Sequence, residues 1–99
     1  MKTEVFVPNL FSPNGDGNND TFKIFGTGLK LLHLNIYNSQ GILLFQTSTT
    51  QETVAEWDGK SNGIDQPMGN YIWIIDGKFM DGNRITYKGK NSGTITLIR

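Results

Sequence analysis

The stretch Leu32-His33-Leu34-Asn35-Ile36-Tyr37-Asn38-Ser39-Gln40-Gly41-Ile42-Leu43-Leu44-Phe45 decides the fold class. Leu32, Leu34 and Ile36 alternate with His33, Asn35 and Tyr37, a period of two that marks a half-buried strand. Asn38-Ser39-Gln40-Gly41 is a hairpin connection, and Ile42 to Phe45 returns as the paired strand. Outward from this hairpin the same texture repeats. Glu4 to Pro8 reads as a first strand, stopped where proline cannot donate to a ladder. Thr21 to Phe25 alternates until Gly26-Thr27-Gly28 breaks it. Tyr71 to Ile75 is apolar on both faces, which suits a central position in a sheet. Lys78 to Met80 and Ile85 to Lys88 flank the turn Asp81-Gly82-Asn83 as a second hairpin. Gly93 to Ile98 is the last strand, and Thr47 to Thr53 is a polar loop or an edge strand. The spacing predicts an all-β, immunoglobulin-like β-sandwich of about seven antiparallel strands.

The 99 residues form one domain, 1–99, because no second core fits in so short a chain. Gly, Asn and Asp together supply 28 residues, which is why the apolar runs stay short. There is no cysteine, which removes disulfides, thiolate metal sites and a cysteine nucleophile. Nine Lys and Arg against nine Asp and Glu give zero net charge, without the basic stripe that nucleic acid requires. No segment approaches the ~20 apolar residues of a membrane helix. Met1-Lys2-Thr3-Glu4 has no signal-peptide core, so the chain reads as cytosolic or as the excised end of a longer protein.

Residues fit for catalysis are scarce. His33 is the only histidine and falls on the polar face of its strand, where a solvated side chain is expected. Gly26 to Lys30 lacks phosphate-loop spacing and no helix follows. No enzymatic activity is therefore expected. Asn14, Asp16, Asn18 and Asp20 place oxygens at every second position of a loop that Gly15 and Gly17 allow to curve, so they are the candidate ligands for Ca²⁺. The competing reading is a string of Asx-turns. Trp57, Tyr71, Trp73 and Tyr87 are either a sugar-stacking platform or core filling, and a small sandwich needs large core residues. A calcium-stabilised or carbohydrate-binding adhesion module is thus the alternative to a pure interaction domain.

Val7 to Phe22, with its core Pro8-Asn9-Leu10-Phe11-Ser12-Pro13-Asn14-Gly15-Asp16-Gly17-Asn18, closely resembles the opening signature of a known family. That family is the type B C-terminal sorting domain of the Bacteroidetes type IX secretion system, also called the gliding-motility-associated C-terminal domain. Glu56-Trp57-Asp58-Gly59-Lys60 looks like its Trp-Asp-Gly turn, and Pro67-Met68-Gly69-Asn70-Tyr71 like its Pro-x-Gly-x-Tyr lead-in. Gly93-Thr94-Ile95-Thr96-Leu97-Ile98-Arg99 is similar to its terminal strand. Ser39-Gln40 departs from the usual Arg-Trp pair of the first hairpin. The resemblance implies a monomeric address label on a larger secreted or cell-surface protein such as an adhesin. It implies recognition by the outer-membrane translocon together with a companion outer-membrane barrel protein, with no insertion into the membrane. It points to Gly93, Thr94, Ile95, Thr96, Leu97, Ile98 and Arg99, at a sheet edge, as the recognised strand.

Overall fold

The hairpin that sets the fold class is the heart of the larger sheet. The computed structural model describes residues 3–13, 20–49 and 55–98. β1 is Glu4–Phe6, β2 Leu10–Phe11, β3 Phe22–Thr27, β4 Leu29–Tyr37 and β5 Leu43–Thr49. β6 is Ala55–Trp57, β7 Lys60–Ser61, β8 Ile64–Asp65, β9 Gly69–Phe79 and β10 Ser92–Leu97. The five-stranded sheet runs β2-β10-β9-β4-β5, the three-stranded sheet β1-β3-β6, and β7 and β8 form a small ribbon. β9 is central, as the two-sided apolar pattern of Tyr71 to Ile75 requires.

Alternation explains how the two sheets share one core. Leu32, Leu34 and Ile36 of β4, Tyr71, Trp73 and Ile75 of β9, and Ile95 and Leu97 of β10 are buried. Facing them are Phe22 and Ile24 of β3 and Ala55 and Trp57 of β6, all in the same cluster. This is an all-β sandwich, and burial of each such apolar side chain contributes roughly 1.5–3 kcal/mol.

The strands differ in number and direction from the sequence expectation. Among the described residues ten replace about seven, because several are only two or three residues long. Pro8 divides the first predicted strand's surroundings: β1 joins the small sheet, while β2 crosses to the large one and pairs parallel with β10. Ile85 to Lys88 is not a strand. Lys88 and Gly89 take positive φ values of 53° and 79°, so the chain reverses there, and Tyr87 and Lys90 exchange backbone hydrogen bonds across the turn. Only an isolated bridge, Lys78 to Arg84, remains of the expected hairpin. The Asp81 turn does form, with the Phe79 N–H donating to the Asn83 carbonyl at 2.9 Å. Gly26 and Thr27 belong to β3, so the break falls at Gly28 alone, and Thr47 to Thr49 belong to the edge strand β5.

A glycine explains the one irregular stretch of the β4–β9 pairing. Gly77 has φ of 153°, and a Cβ there would collide with the Leu31 carbonyl oxygen. The register between β4 and β9 shifts between Leu29 and Leu31, opposite Phe79 and Lys78 and directly beside this residue.

Candidate functional site

Six of the seven terminal residues singled out in the sequence lie in or beside β10, and Arg99 lies outside the described residues. They do two different jobs. Ile95 and Leu97 are fully buried. Gly93 lies under Trp73, and a Cβ added there would sit 2.6 Å from the indole ring. These three hold the core together. Thr94 and Ile98 face outward, and Thr96 is half-buried, its hydroxyl donating to the Asn70 side-chain oxygen at 2.8 Å.

β10 is not the outermost strand, which corrects the edge placement. β2 lies beyond it, pairing Leu10 with Thr96 and Phe11 with Leu97. The Thr96 N–H donates to the Asn9 carbonyl and the Ile98 N–H to the Phe11 carbonyl, both at 3.0 Å. Over Ser92 to Ile95, β9 is the only paired strand among the described residues. The signature stretch Asn9-Leu10-Phe11 and the terminal strand, far apart in sequence, therefore make one continuous rim.

The aromatics considered for a sugar platform fill the core instead. Trp57, Tyr71 and Trp73 are 1%, 4% and 5% exposed. Phe11 stands 5.4 Å from Trp57, and Trp57 5.2 Å from Tyr71, centroid to centroid. The polar atoms of Trp57 and Tyr71 have partners close by in sequence. Trp57 Nε1 donates to the Lys60 carbonyl at 2.8 Å, and the Tyr71 hydroxyl donates to the Pro67 carbonyl. The Trp-Asp-Gly and Pro-Met-Gly-Asn-Tyr motifs are thus packing devices. Tyr87 is half-buried, edge-on to Trp73 at 6.4 Å.

Of the candidate calcium ligands, Asn14, Asp16 and Asn18 lie outside the described residues. Asp20 is half-buried beside Thr21. Among the described residues no three acidic or histidine side chains gather as a metal site. His33 is exposed on β4.

Sequence reasoning missed an exposed aromatic pair. Phe6 of β1 and Phe25 of β3 stand directly opposite each other on the outer face of the three-stranded sheet, 53% and 50% exposed. With Pro8, Leu10, Asp20, Thr21, Lys23 and Glu56 they line a cleft of about 380 Å³. The alternation Phe22-Lys23-Ile24-Phe25 was the available signal, since it sends Phe25 to the same side as Lys23.

A model of the type IX secretion signal domain, CHU_C, matches residues 5–96. The chain belongs to that family. A search of curated proteins gave no match. The match runs from Val5 of β1 to Thr96 of β10 and so covers nearly all of both sheets. The domain's role is that of a sorting signal: it is recognised by the type IX secretion machinery and directs export through the outer membrane to the cell surface or medium. The family is a secretion-signal family and not an enzyme family.

Proposed function

We propose that this domain acts as the C-terminal address label of a larger secreted protein. In this reading it folds alone, as a monomer, in the periplasm, and the translocon then reads it with a companion outer-membrane barrel protein. The recognised surface is the rim formed by Thr94 to Arg99 and the adjoining Asn9-Leu10-Phe11 segment. The observation that carries this reading is the parallel pairing of Leu10–Phe11 with Thr96–Leu97, which brings the family's opening signature beside its terminal strand. Outward Thr94 and Ile98 offer side chains that the core does not need, and Arg99 adds a charged group capable of strong hydrogen bonding.

The test is secretion of a periplasmic reporter fused to residues 1–99, with and without the companion barrel protein. Arg99→Ala and Thr94→Asp are the informative variants, because neither removes a buried side chain. Retained folding with lost export supports the rim, and export at the unaltered level rules it out. Calcium at Asn14, Asp16, Asn18 and Asp20 is a separate proposal resting on ligand spacing. Titration calorimetry with Ca²⁺ should give heat, and a melting temperature indifferent to Ca²⁺ and EGTA would dismiss it.

A further inference from the structure

The outer face of the three-stranded sheet departs from what a solvated β-surface needs. Its inward residues, Phe22, Ile24, Ala55 and Trp57, are buried, so the fold is already satisfied from that side. Outward, Phe6 and Phe25 are nonetheless aromatic and half exposed, and Leu10, 46% exposed, adjoins them. Phe6, Pro8 and Leu10 form a ridge shared by two clefts. One runs toward Phe25, Thr21 and Glu56, the other toward Tyr87 and Lys88. Contiguous apolar surface of this kind marks an interaction site more often than an accident of composition.

On the Phe25 side of this ridge carboxylates outnumber cations among the described residues, while Lys88 borders the Tyr87 side. Glu4 and Glu56 are exposed on the same face as the phenylalanines, and Asp20 lines the cleft. Among the described residues lining that cleft Lys23 is the one cation, 3.9 Å from Glu56, which also accepts a hydrogen bond from the Thr21 hydroxyl at 2.8 Å. On the five-stranded sheet, Lys30, His33, Lys78 and Arg84 line another depression, with Asp76 as its only carboxylate among the described residues. Among the described residues, the cleft beside Phe25 therefore leans acidic where the depression on the five-stranded sheet leans basic.

We infer that the Phe6–Phe25 face docks a protein partner that inserts an apolar side chain flanked by lysine or arginine. The inference rests on the recognition reading above and gives that reading a second contact surface, distinct from the β10 rim. The apolar anchor fills the cleft between Phe6 and Phe25, while Glu4, Asp20 and Glu56 attract the flanking cations and speed their approach.

Two measurements on the full 99-residue chain test it. In an amide NMR titration, a capped peptide alternating lysine and phenylalanine should shift Phe6, Lys23, Phe25 and Glu56. A peptide alternating glutamate and phenylalanine should not. Phe6→Ser/Phe25→Ser should weaken the lysine peptide by about tenfold, and 0.5 M salt should weaken it further. Equal response to both peptides, or no change in the double variant, overturns the inference. So does concentration-dependent dimerisation that the double variant abolishes, which would make a second copy of the chain the occupant. In the reporter assay, the double variant should lose export while Ile64→Ser, equally apolar and exposed on β8 at 67%, keeps it. Export of the unaltered domain together with export of the folded double variant refutes the docking face alone. Failure of the unaltered domain to be exported refutes the recognition reading and takes this inference with it.

Discussion

The outer faces of the two sheets were built under the same rule and came out differently. Both alternate inward apolar with outward residues, so packing fixes one side of each strand and leaves the other free. On the five-stranded sheet that freedom is spent on His33, Asn35, Gln46, Ser48 and Asp76, polar groups that water satisfies, and on Ile72 and Ile74, which are half-buried along the central strand. On the three-stranded sheet it includes two half-exposed phenylalanines opposite each other, ringed by carboxylates. Neither belongs to the buried core, although Phe6 meets the Tyr87 ring edge-on at 6.1 Å. A side chain that the fold does not need, and that solvent does not favour, is where recognition is best sought.

The inner sides bind the two faces into one stability unit, and the largest effect breaks that unit. Deleting residues 92–99 removes Ile95 and Leu97 from the core and the partner strand of both β2 and β9. Each buried aliphatic lost costs about 2–5 kcal/mol, against a total of about 5–15 for a domain. The deleted chain should show no cooperative unfolding transition by circular dichroism. A cooperative melt would mean that the three-stranded sheet folds without its partner, and that the faces are independent. Loss of export in this deletion would report unfolding, so it says nothing of the rim.

Next in size is Gly77→Ala, which acts on the five-stranded sheet alone. A Cβ meets the Leu31 carbonyl, and φ of 153° is unfavourable for alanine, so the variant should lose about 3 kcal/mol or more in urea titrations. Gly93→Ala should lose about 1–3 kcal/mol by pushing on the Trp73 ring, with a visible change in tryptophan emission. Neither should alter peptide shifts at Phe6 or Phe25 while the protein remains folded. A change there would show that the faces are mechanically coupled.

These contrasts also show what the sequence made legible. Alternation at Leu32 to Ile36 and the two-sided run Tyr71 to Ile75 reported burial directly, because burial imposes the period. Lys88 at positive φ could not be read, since lysine carries no local signal for that conformation. The parallel β2–β10 pair was equally hidden: it joins residues more than eighty positions apart, and only tertiary packing brings them together. At the site, the terminal strand was visible but its division of labour was not. Gly93 reads in the sequence as part of the terminal strand, and its close approach to the Trp73 ring comes only from the pairing of β10 with β9. Phe25 was legible as outward-facing, whereas its pairing with Phe6 required the register of β1 against β3.

The smallest effects separate the faces most sharply. Arg84 and Asp76 pair at 3.4 Å on the five-stranded sheet, with side chains 75% and 66% exposed. Solvent and salt screen such a pair, so Asp76→Ala should change stability by less than about 1 kcal/mol. Glu56→Ala on the other sheet removes a carboxylate that serves Lys23 and Thr21 and is comparably exposed, so its stability cost should be as small. The two variants should diverge only in binding. Glu56→Ala should weaken the lysine–phenylalanine peptide severalfold and flatten its salt dependence, while Asp76→Ala leaves both unchanged. Identical binding by the two variants would reduce the acidic ring around Phe6 and Phe25 to ordinary surface charge, and the difference between the faces to hydrophobicity alone.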